Sequence, residues 1–241
     1  MARGFGRLEE ALATVRRGIE GACHRTGRDP SEVRLVAITK TVPVEVVARA
    51  RDFGVADFGE NYARELAQKA TRVPATWHFV GKLQRGTAGL VAEHADVIHS
   101  AEPGDGLVRV ARRATGGGRV IPCLVQVDFT GRRQGVSEDD APAFLEDLRP
   151  ISGIRAIGLM TLPPLAGDPE AMRPSFARLR DLRDRLQEAW PELRELSMGM
   201  SVDYEVAVEE GATMVRVGTA LFGSRPQALE QPAQPEGPEP G

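Results

Sequence analysis

Cysteine is scarce in this chain. Cys23 and Cys123 are the only two, one in a helical pattern and one in a strand pattern, which leaves neither a disulfide framework nor a tightly spaced metal-ligand set. That usage fits a reducing cytosol. The four histidines, His24, His78, His94 and His99, suit no metal motif, so no metal is expected. An excess of basic charge is also absent: the net charge is -3, which offers no field for a nucleic-acid backbone, and nucleic acid is not an expected partner. No apolar run approaches membrane-spanning length. The opening stretch MARGFGRLEEALATVRRG is charged and helical in pattern, without the apolar core of a signal peptide. These absences lead us to expect a cytoplasmic protein with no membrane partner.

What is present is the composition of an ordinary globular protein, 41% hydrophobic and 27% charged over 241 residues, a length that one α/β barrel commonly fills. Leu8, Leu12, Val15 and Ile19 recur at helical spacing and predict a leading amphipathic helix. Eight short apolar runs follow: LVAIT (35–39), VADFG (55–59), WHFVG (77–81), DVIHS (96–100), CLVQVDF (123–129), IRAIGLM (154–160), LRELSM (193–198) and TMVRVG (213–218). Helical patterns separate them. Pro43, Ser137 and Ser201 each stand ahead of one and predict its start. Runs that are apolar nearly throughout, each followed by a helix, predict parallel strands covered on their outside. The expected fold is α/β, a (β/α)8 TIM-type barrel with an extra N-terminal helix over residues 1–223; an open, doubly wound sheet is the alternative. Residues 224–241, rich in Pro, Gly, Gln and Glu, are expected to be a disordered tail.

Barrels of this kind carry their chemistry where strands end. Lys40 closes the first run, where desolvation would free its amine to attack an aldehyde, unless a neighbouring acid such as Glu60 pairs with it. Arg216 closes the last run and is followed by Gly218 and Thr219. The preceding unit places Ser197, Gly199 and Ser201 between strand and helix. Two adjacent turns of this kind suggest one phosphate held by backbone N–H groups and hydroxyls. Taken singly, either glycine is explained as well by a tight turn. His78 and His99, at strand ends, could serve as a general base or a supporting hydrogen-bond partner, and a structural role fits them better.

Across most of residues 5–223 the chain resembles the pyridoxal phosphate homeostasis protein family, single-domain relatives of the alanine racemase N-terminal barrel. The matching strings are LVAITKTVPVE, FGENYARE, WHFVGKLQ, IHS, GLMTL, LSMGMSVDYEVAVEEG and VRVGTALFG; LSMGMS with a spaced VRVGT carries the resemblance most specifically. The resemblance implies that pyridoxal 5′-phosphate (PLP) forms an aldimine with Lys40 and that Ser197, Ser201, Gly218 and Thr219, with Gly199 in the same turn, surround its phosphate. It places Arg216 near the pyridine nitrogen, Asn61 in a polar contact and Met160 in packing. An arginine only donates hydrogen bonds, so it would leave the ring nitrogen unprotonated and the ring a poor electron sink. The implied role is a cofactor carrier and not an enzyme, with apo PLP-dependent enzymes as acceptors and a monomeric state; an amino-acid racemase or a Schiff-base barrel aldolase is the alternative. A racemase would need a tyrosine opposite the lysine, and the only tyrosines are Tyr62 and Tyr204. Asp203 is expected to hold its turn and point away from a phosphate. The chain departs from the family pattern at Arg85, Gly86 and Thr87, at Asp128, and in GRRQG (131–135), which puts any further anion site on those loops in doubt.

Overall fold

The computed structural model describes residues 2–163 and 167–223; the tail expected over 224–241 lies outside the described residues. After helix α1 (Ala2–Thr26), strands and helices alternate as β1 (Arg34–Ile38), α2 (Val44–Asp52), β2 (Asp57–Glu60), α3 (Ala63–Ala70), β3 (Thr76–Phe79), α4 (Ala88–His94), β4 (Val97–Ala101) and α5 (Asp105–Gly116). The second half continues as β5 (Ile121–Val127), α6 (Ala141–Leu148), β6 (Ile154–Thr161), α7 (Arg173–Leu186), β7 (Glu195–Ser197), α8 (Tyr204–Glu209), β8 (Met214–Val217) and α9 (Thr219–Phe222). All eight expected runs are strands. They close in sequence order into one parallel barrel, and the pairing of β1 with β8, Val36 opposite Arg216 and Ala37 opposite Val217, excludes the open-sheet alternative.

Burial explains why the runs read as continuous apolar segments. One strand face packs against the helices, where Phe58 and Trp77 meet with ring centroids 5.4 Å apart. The other faces the barrel interior, where Val97, Leu124 and Met160 form a small cluster of their own. Helix α1 buries Leu8, Leu12, Val15, Ile19 and Cys23, the stripe its spacing predicts. The Tyr204 hydroxyl sits directly over Gly18, where a Cβ would lie 2.2 Å from it. Among the described residues no helix is long and apolar enough to cross a membrane.

Two helix starts differ from expectation, for different reasons. Ser137 Oγ accepts from Asp140 N at 3.1 Å and donates to the Asp140 carboxylate, so it closes a turn and α6 begins only at Ala141. Ser201 does not cap α8, which begins at Tyr204. Its hydroxyl turns towards the neighbouring strand-helix unit.

Candidate functional site

The strand pleat sets the positions at the C-terminal mouth of the barrel. Val36 and Ile38 face the interior, since both would touch a Cβ on Gly59 across the β1–β2 pair. Two residues further on the same alternation, Lys40 extends to the inner rim. Thr39 points the opposite way, and its hydroxyl donates to Glu60 Oε1 at 2.6 Å. Behind them Lys69, on α3, donates to Thr39 O at 2.7 Å, Glu60 Oε1 at 2.6 Å and Glu65 Oε2 at 2.8 Å. The same Glu65 oxygen accepts the Thr41 N–H at 2.8 Å. Thr41 holds φ at 64°, a conformation that a β-branched residue adopts only when its surroundings impose it. Both chain neighbours of Lys40 are therefore tied to one buried ammonium. Glu60, the acid considered as a partner for Lys40, belongs to Lys69 and Thr39; burial raises its pKa and those two bonds oppose the rise.

Lys40 shares a depression of about 390 Å³ with Gly218 and Thr219, floored by Ile38 and flanked by Val42, Val46 and Phe222. Ser201 completes this corner, its Oγ accepting from Gly218 N at 3.1 Å and Ala220 N at 3.2 Å. With both lone pairs used, its O–H has to donate outward. The two glycines of the adjacent turns differ in kind. Gly199 holds φ at 87°, and a Cβ there would lie 2.5 Å from that of Ala207, so the fold itself demands glycine. Gly218 has φ of -120°, and a Cβ there would meet Ile38 no closer than 3.4 Å.

Arg216 lies inside the barrel, 4% exposed. It donates to Ser197 Oγ and, at 2.9 Å, to Thr161 O. Burial lowers its pKa to about 10, with the Asp203 carboxylate opposing, so it stays charged at neutral pH. Ser197 faces inward with it, and its oxygen is engaged by Arg216 and, at 2.8 Å, by His99; the structure does not bring Ser197 into the corner formed by Ser201 and Gly218. Met160, 1% exposed, packs against Val97 and Leu124 as a core residue. Asn61 lines a neighbouring depression with Phe79 and Lys82, its carbonyl seated on Gly81, where a Cβ would fall 1.9 Å away. Asp203 holds its turn by accepting from Met200 N at 2.6 Å. Asp128 organises the 128–133 loop through Thr130 N, Thr130 Oγ and Arg133 N, while Arg85 and Gly86 lie outside the mouth in a groove with Arg109 and Arg113.

His78 and His99 are fully buried and hydrogen-bonded to each other at 2.8 Å. Desolvation first, then the nearness of His78, Arg216 and Arg34, holds the His99 pKa well below the usual 6.5. The folded state thus refuses a proton that the unfolded chain accepts below pH 6.5, and this contribution to stability is present above that value and lost as pH falls, by up to about 1.4 kcal/mol per pH unit. Glu60 and Asp203, both raised by burial, act with the opposite sign nearer the carboxylate range. We therefore expect the unfolding free energy of the wild type to exceed that of His99→Gln by a margin that shrinks between pH 7.5 and 5.5 in urea titrations. A constant margin contradicts a neutral His99.

The family model for the alanine racemase N-terminal domain matches residues 12–226, and the chain belongs to that class of barrels. Its curated relatives narrow the class. The pyridoxal phosphate homeostasis proteins of Aquifex aeolicus and Pseudomonas aeruginosa are each 37% identical to it, over 90% of this chain and 97% and 96% of theirs. The chain is a member of the pyridoxal phosphate homeostasis protein family. PipY of Synechococcus elongatus, solved with PLP bound, superposes with a TM-score of 0.79 at 35% identity, covering 90% of this chain and all of that one.

Proposed function

We propose that this chain binds PLP at the barrel mouth, anchored on Lys40, and serves as a cofactor-homeostasis carrier and not as an enzyme. The observation that carries the reading is the shared depression of Lys40 with Gly218 and Thr219. The chain has only three lysines; Lys69 is caged by carboxylates and Lys82 is exposed on the surface. When bound, PLP supplies an aldehyde for a lysine and a phosphate for backbone N–H groups and hydroxyls. Both kinds of partner are present. Ser201 O–H and the Thr219 N–H would hold the phosphate beside Gly218, whose own N–H is given to Ser201 Oγ, and Arg216, charged and able only to donate, would face the ring nitrogen and keep it from acquiring a proton.

The relatives' name and the PLP held by PipY support this reading. The tyrosines support the absence of racemase chemistry: Tyr204 is buried under α1, 8% exposed, and Tyr62 stands 52% exposed at the start of α3. Neither lines the Lys40 depression. We take the carrier to be a cytoplasmic monomer whose acceptors are apo PLP-dependent enzymes. The experiment is to load the protein with PLP and follow activation of an apo-enzyme. Transfer faster than release into buffer, with no racemisation of L-alanine, supports the carrier; PLP-dependent racemisation overturns it. Ser201→Ala is expected to weaken PLP binding about tenfold, the scale of one charge-assisted hydrogen bond, in fluorescence titration, with an unfolding free energy lower by about 1 kcal/mol for the two backbone donors it leaves.

A further inference from the structure

The barrel interior carries a continuous line of polar side chains that the carrier role does not by itself require. Asp57 Oδ1 lies 2.9 Å from His78 Nε2. His78 Nδ1 lies 2.8 Å from His99 Nε2, and His99 Nδ1 lies 2.8 Å from Ser197 Oγ, which accepts from Arg216. The line crosses the lumen from β4 to β7. It starts at the opposite end of the barrel from Lys40, because Asp57 opens β2 and lines a depression with Arg16 and Arg34.

For neutral imidazoles, the two ends set where every proton sits. A guanidinium only donates and a carboxylate only accepts. Asp57 therefore takes the proton of His78 Nε2, which leaves Nδ1 of a neutral His78 as an acceptor. His99 then donates from Nε2 and accepts at Nδ1, and the hydrogen on Nδ1's side comes from the Ser197 hydroxyl, whose oxygen is free to accept from Arg216. The reversed order would set an imidazole lone pair against the Asp57 carboxylate at 2.9 Å. With both imidazoles neutral, only one direction satisfies every atom, running from Arg216 through Ser197, His99 and His78 to Asp57.

We propose that Asp57, His78, His99 and Ser197 are positioning residues, a one-way hydrogen-bond chain that orients Ser197 and so fixes Arg216 for the ring nitrogen of bound PLP. The consequence for the cofactor rests on the reading of the Lys40 site given above; the proton order does not. With Ser197 Oγ committed to donate to His99, its lone pairs are held towards Arg216, and the guanidinium is pinned between Ser197 and Thr161 O. Removing the terminal acceptor frees both imidazoles to change tautomer, and the Ser197 hydroxyl with them.

The test uses histidine ¹⁵N chemical shifts of the full-length protein without cofactor, followed by PLP release rates. In the wild type His78 and His99 are expected to be neutral with the proton on Nε2; a proton on Nδ1 of either ring overturns the chain. Asp57→Asn retains a side-chain oxygen that accepts from His78 and is expected to keep both tautomers and the PLP release rate. Asp57→Ala is expected to mix the tautomers and to speed PLP release about tenfold. If Asp57→Ala folds with wild-type shifts and an unchanged release rate, the positioning role is wrong. If the wild type takes up no PLP at all, the Lys40 reading fails, and the shifts alone decide the proton order.

Discussion

Lys40→Ala is expected to bind PLP about a hundredfold more weakly than the wild type, a loss of about 2.7 kcal/mol, and to show none of the visible absorption that a lysine-bound PLP gives. On the proposed reading, the substitution removes the covalent anchor and leaves the phosphate corner in place. The Ser201–Gly218 corner is held by its own hydrogen bonds, Gly218 N and Ala220 N donating to Ser201 Oγ at 3.1 and 3.2 Å, and Arg216 is held from inside the barrel. Phosphate affinity should therefore survive, and inorganic phosphate should still compete with the residual PLP binding. Lys40 is only partly buried, so the unfolding midpoint should move little. Equal PLP affinities of wild type and variant would remove Lys40 from the site.

Lys69→Met is expected to have the opposite profile, with a large effect on stability and an indirect one on binding. The ammonium is 7% exposed and its partner Glu60 carboxylate fully buried. Removing one member of such a pair strands the other, typically at about 3–5 kcal/mol. Glu60 already has a raised pKa through burial and can take up a proton instead, which places the loss near the lower end, about 3 kcal/mol. For a chain of this size that is roughly 6–12 °C in unfolding midpoint. The second consequence is local. Without Lys69 the Thr39 carbonyl keeps only the Val42 N–H, at 2.9 Å, and Glu65 loses its bridge, so the turn that sets Thr41 at its positive φ is loosened, and the bearing of Lys40 with it. PLP binding should weaken even at temperatures where the variant is folded. Lys69→Met with Glu60→Gln should recover part of the stability, because the stranded charge is gone, but not the binding. A midpoint within about 2 °C of wild type for Lys69→Met would show that the buried pair does not support the barrel mouth.

These expectations draw on contacts of two kinds, and only one could be read along the chain. Strand positions were legible because a parallel barrel buries both faces of each strand and so writes itself as uninterrupted apolar runs. The places of Lys40 and Gly218 at the barrel mouth were legible because each follows closely on the end of a strand. Side-chain partners across the fold were not. Glu65 and Lys69 have the spacing of any i,i+4 helix pair, and nothing in that spacing tells that Lys69 reaches the Thr39 carbonyl 30 residues away. Ser197 lies 98 residues from His99, and no local pattern announces that a hydroxyl near a glycine turn will point into the lumen and not at a phosphate. Ser201 shows the same limit in reverse. Its place ahead of a helical pattern suggested a cap for the following helix, whereas tertiary contact with β8's turn claims the hydroxyl.

The central claim is that Lys40 carries the cofactor, and the most direct measurement is peptide mass mapping after incubation with PLP and borohydride, which makes a lysine bond to the aldehyde permanent. With three lysines in the chain, the assignment is unambiguous. The account predicts a single phosphopyridoxyl group on Lys40, with Lys69 and Lys82 unmodified at one equivalent of PLP. A group on Lys69 or Lys82 in its place, or none with PLP in excess, would contradict it.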